Sequence, residues 1–349
     1  IAIKGMQVNS LRNINIDELL FGRESLSKDN ANYSEEIRNK VVLVTGAGGS
    51  IGSELCNQIL KCSPRKLILI DNNEHSLYLI NKLLTERISN KKVEIISVLG
   101  NVCDEGLVEE IFRESEVNTI FHAAAYKHVP IVEINPIQGV ENNVLSTYTL
   151  CKLAVKFKIS KFILISSDKA VRPTNIMGAS KRIAELLLQA FAMEQKMSSN
   201  DENSNPKTCF AMVRFGNVLG SSGSVVPLFK EQISKGGPIT LTHKHIYRYF
   251  MTITEASQLV LHASCLASGG DLFLLDMGKP IKILELARKM IEISGLTVKD
   301  KDNPNGDIEI IDKGLRPGEK LSEELLIDSK AEKTLHPLIF RANEKLIEP

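Results

Sequence analysis

Charge of one sign is what this sequence most lacks. Its 349 residues carry 43 Lys+Arg against 42 Asp+Glu, a formal net charge of +1. So even a balance leaves no electrostatic footprint for nucleic acid or for an anionic membrane surface as partner. No apolar run reaches the roughly 18 residues that a membrane span requires. The cysteines Cys56, Cys62, Cys103, Cys151, Cys209 and Cys265 fall nowhere at metal-ligand spacing, so no metal site is expected. A chain of this length builds its core without disulfide staples, and a reducing cytoplasm suits it. Internal repeats, low-complexity tracts and a signal-like leader are all missing. The chain begins at Ile1 rather than Met and is therefore read as a fragment, with room upstream for a membrane anchor. What is left is ordinary globular composition, 43% hydrophobic and 24% charged, enough for about two domains.

Residues 1–38 read as a polar arm with one short apolar patch at Leu19–Phe21 and a charged stretch from Arg23 to Arg38. The pattern then changes sharply. Val41–Val44, Lys66–Ile70, Val93–Val98, Thr119–Phe121, Phe162–Ile165 and Phe210–Arg214 are short apolar runs of the kind buried strands need. Helical patterns lie between them, over Leu55–Leu60, His75–Ile88, Pro136–Val155 and Ile183–Met193. Alternation at this spacing predicts repeated βαβ units, hence an α/β fold with a doubly wound parallel sheet covered by helices on both faces. Ser198–Pro206 and Val298–Gly306 read as solvated loops. The expected organisation is an arm over 1–38, a Rossmann-like dinucleotide-binding domain over 39–215, and a smaller, loop-rich substrate-binding portion over 216–349 with some segments returning to the first core.

Thr45-Gly46-Ala47-Gly48-Gly49-Ser50-Ile51-Gly52 directly follows the first strand and opens a helix. Glycines permit a tight turn and close backbone approach to a pyrophosphate, and the helix N-terminus offers unpaired N–H groups with a positive dipole end. A glycine string alone is weak evidence, and a tight turn would account for it. Here Asp71 follows 19 residues after Gly52, at the end of the second strand, where a carboxylate meets the adenosine ribose. A carboxylate there accepts from a ribose diol and repels a 2′-phosphate. The next residues, Asn72, Asn73 and Glu74, are not basic, so NAD is favoured over NADP; a more distant base such as Lys92 is the alternative.

Ser166-Ser167-Asp168-Lys169 stands at the carboxyl end of the fifth strand, the edge where open parallel sheets bind ligands. Met177-Gly178-Ala179-Ser180-Lys181 begins the long helix, with Lys181 on a turn able to face the cofactor. The ordinary reading of Asp168-Lys169 is a surface ion pair worth little; its strand-end place argues against that. His243 and His245 alternate as they would on a strand, and no third ligand is spaced to make them a metal site.

The cradle and the strand-five/helix pair resemble an extended short-chain dehydrogenase/reductase. Phe121-His122-Ala123-Ala124-Ala125-Tyr126-Lys127-His128-Val129-Pro130, Ser166–Lys181, Arg214-Phe215-Gly216-Asn217-Val218-Leu219-Gly220-Ser221, Arg248-Tyr249-Phe250-Met251 and Leu315-Arg316-Pro317-Gly318-Glu319-Lys320 narrow the likeness. In order, these motifs resemble the UDP-N-acetylglucosamine 4,6-dehydratases of bacterial polysaccharide and glycan biosynthesis, over about Val41 to Leu325. Ile16–Arg23 is similar to the segment that precedes the catalytic domain in long, membrane-anchored members. Most of the superfamily has Tyr-x-x-x-Lys, with the phenol as base. Met177 stands in the tyrosine position here, and a thioether cannot take that proton. The long-form dehydratases share this methionine, and in them the Ser/Thr-Asp-Lys triplet carries the acid–base work.

The resemblance implies dehydration of UDP-N-acetylglucosamine to a UDP-4-keto-6-deoxy-N-acetylhexosamine with NAD as cofactor. Asp168 is then the general acid at the sugar 6-hydroxyl, Lys169 the base at carbon 5, Ser167 the relay at the 4-hydroxyl, and Lys181 the holder of the nicotinamide ribose. It implies NAD contacts from Gly46, Gly49, Ser50, Ile51, Gly52, Asp71, Asn72, Asn101, Val102, Ala123, Ala124, Ala125 and Asn143, the last being either a ligand or a satisfied core amide. For the UDP-sugar it implies Lys127 and Met177 near the sugar, Asn217, Arg248 and Arg316 at the diphosphate, Ser224, Val225, Pro227, Thr240 and Thr242 around uridine, and Glu319 in the same set. A Pro-containing stretch that the family places between His243 and Arg248 reads Lys244-His245-Ile246-Tyr247 here. A homo-oligomer, dimer or larger, paired through Pro136–Val155 and Lys181–Met193 is expected, as is an inner-membrane anchor on the full-length protein with the catalytic domain in the cytoplasm. Two other readings share some features: an NAD-dependent UDP-sugar 4-epimerase, and an NAD-binding protein without catalysis.

Overall fold

A strand buried on both faces needs apolar residues at successive positions rather than alternate ones. Val41–Thr45 supplies them, and all five are buried. In the computed structural model, which describes Leu19 and residues 31–88, 93–197, 207–327 and 331–344, this strand is β1, an interior strand third from one edge of a nine-stranded sheet. The elements before and after it are α1 (Ala31–Ile37), α2 (Ser50–Lys61), β2 (Lys66–Asp71), α3 (Glu74–Arg87), β3 (Glu94–Leu99), α4 (Glu105–Ser115) and β4 (Thr119–His122). Then come α5 (Val129–Ile134), α6 (Pro136–Val140), a π-helical turn (Glu141–Leu145), α7 (Ser146–Lys156), β5 (Lys161–Ile165), a 3₁₀ turn (Asp168–Ala170), α8 (Ile176–Met197) and β6 (Cys209–Arg214).

The chain next enters a second unit, with β7 (Asn217–Leu219), α9 (Val225–Ser234), β8 (Ile239–Leu241), β9 (Tyr247–Arg248) and β10 (Phe250–Thr252). Through α10 (Ile253–Leu266) and β11 (Asp271–Leu275) it is back in the first. It leaves again for β12 (Ile281–Lys282), α11 (Ile283–Ile293), β13 (Val298–Lys299) and β14 (Ile308–Asp312), and ends in the first unit with β15 (Ala331–Lys333) and β16 (Ile339–Ala342). The first unit comprises Leu26–Phe215, Thr254–Asp276 and Glu324–Pro349; the second comprises Ile1–Ser25, Gly216–Ile253 and Met277–Glu323.

The large sheet runs β15-β16-β11-β6-β5-β4-β1-β2-β3. From β3 to β11 every pairing is parallel, and β16 joins antiparallel to β11 and β15. The expected doubly wound α/β sheet is therefore present, and its order reverses between β1 and β4, the switch point of such folds. One core lies between the sheet and helices α4, α7 and α8, with Leu43, Ile120, Leu150, Leu153, Phe162, Leu164, Leu188 and Phe210 fully buried. In the second unit α11 turns Ile283, Leu286, Ala287 and Met290 inward at helical spacing, onto Phe229, Ile233 and Ile308.

Four local expectations change. The helix expected over Pro136–Val155 is broken by the π turn, where one extra residue per turn re-aims the side chains. The long helix expected to begin at Met177 and to run to Met193 starts at Ile176 and continues to Met197. His243 and His245 lie on a turn and not on a strand; the His245 N–H donates to His243 Nδ1 at 3.2 Å. The expected arm contributes α1, whose Tyr33 and Ile37 are buried, and Leu19, which is buried in the second unit's core. The rest of the arm, with Leu20 and Phe21, and the expected loop Ser198–Pro206 lie outside the described residues.

The turn after β1 depends on Gly46. Its φ is +61°, and a Cβ there would lie 2.8 Å from the Ala124 backbone. Gly46→Ala should cost about 2–4 kcal/mol of stability in urea denaturation. Gly49→Ala, whose nearest neighbour would be 3.2 Å away, should cost clearly less.

Candidate active site

Most of the cofactor residues expected from the sequence fall at the carboxyl ends of β1–β4. Gly46, Gly49, Ser50, Ile51 and Gly52 follow β1, Asp71 and Asn72 end β2, Asn101 and Val102 follow β3, and Ala123–Ala125 follow β4. A Cβ on Gly52 would lie 2.0 Å from the Gly46 carbonyl oxygen, so the first turn of α2 sits directly on the loop. Gly49 caps that helix without a side-chain hydrogen bond, and a helix N-terminus with its positive dipole end suits an anion. Asp71 is buried; its Oδ2 accepts from the Gly48 N–H at 2.8 Å and its Oδ1 from the Asn73 N–H at 2.9 Å. The carboxylate thus shapes the glycine loop while keeping acceptor capacity. Asn101 is exposed and its Oδ1 accepts from Cys103 N–H at 2.9 Å, whereas Val102 is part of the core.

Ser167, Asp168 and Lys169 converge on one oxygen atom. Ser167 Oγ donates to Asp168 Oδ1 at 2.8 Å and Lys169 Nζ donates to the same oxygen at 2.9 Å. The Ser167 side chain also accepts from the Lys169 N–H at 3.2 Å, capping the 3₁₀ turn. The Asp168 N–H is tied to the Phe215 carbonyl at 3.1 Å. The Asp168 side chain is fully buried, and its Oδ2 has no hydrogen-bond partner. An acceptor buried without a partner is costly, so this is a group held ready for something else.

Asn143 settles as a core amide. Its Oδ1 accepts from the Tyr126 N–H at 2.7 Å and from Asn142 Nδ2 at 3.0 Å; its Nδ2 donates to the Tyr126 carbonyl at 3.0 Å and to Ser180 Oγ at 2.9 Å. All four valences are used. It braces the turn of α8 bearing Met177 and Lys181 from below and has nothing left for a ligand.

Sequence reasoning missed the histidine beside it. His122 is fully buried. The Thr147 hydroxyl commits its proton to the Asn143 carbonyl (2.9 Å), so His122 Nε2 must donate to Thr147 Oγ1 (3.1 Å). His122 Nδ1 then accepts from Thr45 Oγ1 at 2.7 Å, and Thr45 accepts from the Ala124 N–H at 3.2 Å. Burial, and then the nearby Lys181 charge, hold His122 down at about 3, neutral at working pH. Lys181 is itself buried and donates to the Ile165 carbonyl at 2.7 Å. Burial lowers its ammonium to about 8, against an upward pull from Glu185. Met177 is buried beside it on the first turn of α8, and Lys127 is exposed.

The expected substrate residues from Asn217 to Glu319 belong to the second unit. Glu319 gathers three of them: it accepts from Thr242 Oγ1 at 3.1 Å and from the Arg316 N–H at 3.3 Å, and lies 3.7 Å from the Arg248 guanidinium. Arg248 is drawn mainly to carbonyls, of Tyr247, Lys320 and Leu321, at 2.7–3.1 Å, so it holds that loop. Thr240 pairs with Gln232 instead. Asn217 Oδ1 and Ser224 Oγ are buried without partners; Val225 and Pro227 follow in the first turn of α9. Among the described residues there is no group of three or more His, Cys, Asp or Glu able to hold a metal, and no helix long and apolar enough to cross a membrane.

Compared with known proteins, residues 42–344 match the family described as polysaccharide biosynthesis protein. The chain is 48% identical over 321 residues to the capsular polysaccharide biosynthesis protein CapD of Staphylococcus aureus, taking in 92% of this chain and 50% of CapD. It thus spans about half the length of that relative. It is 32% identical over 290 residues to the UDP-glucose 4-epimerase of Rickettsia rickettsii, covering 82% of this chain and 78% of that protein. Among solved structures, Pen from Bacillus thuringiensis is similar with a TM-score of 0.74 and 32% identity, over 87% of this chain and 86% of Pen.

The Lys181 environment makes a pH signature. Lysine titration followed by NMR should include a group with its midpoint near 8 that vanishes in Lys181→Met. The ordinary value, 10.5, applies to the unfolded chain, so between these two pH values only the unfolded chain holds the proton. Stability of the wild type should therefore rise with pH across that window relative to Lys181→Met. A Lys181 that titrates only above 10 would contradict its burial.

Proposed function

This chain belongs to the polysaccharide biosynthesis protein family, and from that membership we propose that it dehydrates UDP-N-acetylglucosamine to a UDP-4-keto-6-deoxy-N-acetylhexosamine, with NAD as cofactor. The observation that carries the reading is the two-faced Asp168 carboxylate. One oxygen gathers Ser167 and Lys169, and the other is buried with no partner.

The residues present fit a dinucleotide. The glycine turn leaves no room for a Cβ at Gly46 or Gly52, and Asp71 ends β2 with exposed, non-basic neighbours. Bound there, NAD would supply the hydride acceptor for oxidation at sugar carbon 4 and the hydride donor for reduction at carbon 6. Everything else is proton work for side chains of the first unit. The sugar 4-hydroxyl gives its proton to Ser167 Oγ, whose own proton passes to Asp168 Oδ1 along the 2.8 Å bond. This replaces the phenol that Met177 displaces. The resulting ketone acidifies carbon 5. Lys169 Nζ, as the amine, removes that proton, and Asp168, now a neutral acid, protonates the departing 6-hydroxyl. The Lys169 ammonium exchanges its protons with solvent and then gives one to carbon 5, which leaves a carboxylate and an amine as at the start. Lys181 supplies fixed positive charge near the cofactor.

At the nucleotide end, the unpartnered Asn217 Oδ1 and Ser224 Oγ and the exposed Arg316 support binding of the UDP portion in the second unit. The relationship to a UDP-glucose 4-epimerase favours one rival, a UDP-sugar 4-epimerase. It shares the first oxidation and yields a product of unchanged mass. We further propose a homo-oligomer joined through α5–α7 and α8, because Ile131, Ile134, Ile137, Tyr148 and Ile183 are exposed there, Ile134 to 75%.

With UDP-N-acetylglucosamine in deuterated water, the product should lose one water and gain one deuterium at carbon 5. Unchanged mass would give the substrate to the epimerase reading, and NAD binding without turnover would leave a non-catalytic binder. Asp168→Asn should lower kcat by roughly 10²–10⁴-fold with NAD still bound. In light scattering, Ile134→Asp with Ile137→Asp should shift an oligomeric wild type toward the monomer; a monomeric wild type would end that proposal.

A further inference from the structure

Behind the reacting turn lies an ionic cluster that the mechanism does not use. Arg214, the last residue of β6, is fully buried, and each of its five N–H groups is committed. Nε donates to Glu185 Oε1 and Nη2 to Glu185 Oε2, both at 2.6 Å. Nη1 donates to Glu344 Oε1 at 2.5 Å and to the Leu325 carbonyl at 3.4 Å, and Nη2 also reaches Glu344 Oε2 at 3.1 Å. Arg182 Nη1 spans the same two carboxylates at 2.9 and 3.0 Å. Two guanidiniums and two carboxylates thus cancel within a site where an unpaired charge could not be tolerated.

The cluster reaches the reacting turn through the Ser166 hydroxyl. Ser166 Oγ donates to Glu185 Oε1 at 2.6 Å, and Ser166 immediately precedes Ser167, Asp168 and Lys169. On the far side of the turn Arg172, held at φ +42°, donates to Glu324 at 2.9 Å and to the Ile327 carbonyl at 2.6 Å. Glu324, Ile327 and Glu344 all belong to the final segment of the first unit, which begins at Glu324. That stretch therefore grips the catalytic turn before and after the three reacting residues. Glu344 is two residues past the end of β16, whose own pairing with β11 and β15 is backbone work.

We propose that Glu344 is a positioning residue: through Arg214 and Glu185 it fixes Ser166 and so sets the aim of the Ser167–Lys169 turn. The catalytic consequence rests on the dehydratase reading; the structural one does not. Glu344→Gln keeps the shape and removes the charge, leaving Arg214 and Arg182 sharing one carboxylate. In Glu344→Gln, kcat should fall roughly tenfold to a hundredfold with the KM for UDP-N-acetylglucosamine and NAD affinity within about twofold of wild type. Glu344→Asp should recover part of that loss.

Hydrogen exchange of the intact protein separates the two readings. The Asp168, Lys169, Ala170 and Val171 amides, all hydrogen-bonded in the turn, should exchange roughly tenfold faster in Glu344→Gln, with β1–β4 unchanged. Glu324→Gln, at an ion pair that is half exposed and so safe for folding, should loosen the same turn from its other side. Wild-type exchange in the turn, or equal loosening of β1–β4, overturns the proposal. A wild type that dehydrates nothing overturns the dehydratase reading, and the exchange result then stands by itself.

Discussion

In the dehydratase reading the Asp168 carboxyl first accepts a proton and then gives it up, and burial makes the different surroundings of its two oxygens matter. At Asp168 one oxygen takes hydrogen bonds from both Ser167 and Lys169, and the other takes none. In water the distinction would be lost to solvent within the side chain's own rotation. Inside the protein it persists, because the Asp168 N–H is pinned to the Phe215 carbonyl and the side chain has no exposure. The remaining features of the site serve to keep that arrangement in place.

Gly178 shows how tightly. A Cβ there would lie 2.2 Å from the Lys169 carbonyl oxygen, so the first turn of α8 rests against the backbone of the reacting turn. From the other direction Asn143 ties the same helix, through Ser180, to the Tyr126 backbone. The chain Ala124–Thr45–His122–Thr147–Asn143 then links the cofactor loop to that brace. Met177 fills the position where a phenol would otherwise act and is buried there. In the dehydratase reading, an apolar group at that point leaves the acid–base chemistry to the neighbouring strand end.

The repetitive parts of this architecture were legible in the sequence. Apolar runs such as Val41–Val44 and Phe162–Ile165 announce buried strands, and glycine spacing with Asp71 places a dinucleotide turn. Adjacent chemistry was legible too, since Ser167, Asp168 and Lys169 are consecutive. What escaped depends on residues far apart in sequence. Glu185 and Glu344 carry no local pattern and look like ordinary surface charges until the sheet is assembled, and Arg214, though it ends a strand run, gives no sign in sequence of its partners. The π turn escaped because its apolar spacing still suits a regular helix; only the extra residue, which turns Asn143 inward, tells them apart. Leu19 sat in a polar arm, and its burial depends on a core assembled from residues more than 190 positions later.

Both units are stitched from separated stretches of chain. The large sheet receives β16 only after the second unit's own strands and helices have passed, and the second unit's core closes over Leu19 from the opposite end of the sequence. During synthesis a ribosome would release β1–β6 long before their final neighbours, with the β6 edge bare until β11 and β16 emerge. Such an edge is open to wrong pairings. Order of synthesis therefore makes the late strands a gate on maturation, and a nascent chain stalled before residue 271 would leave the β6 edge unpaired.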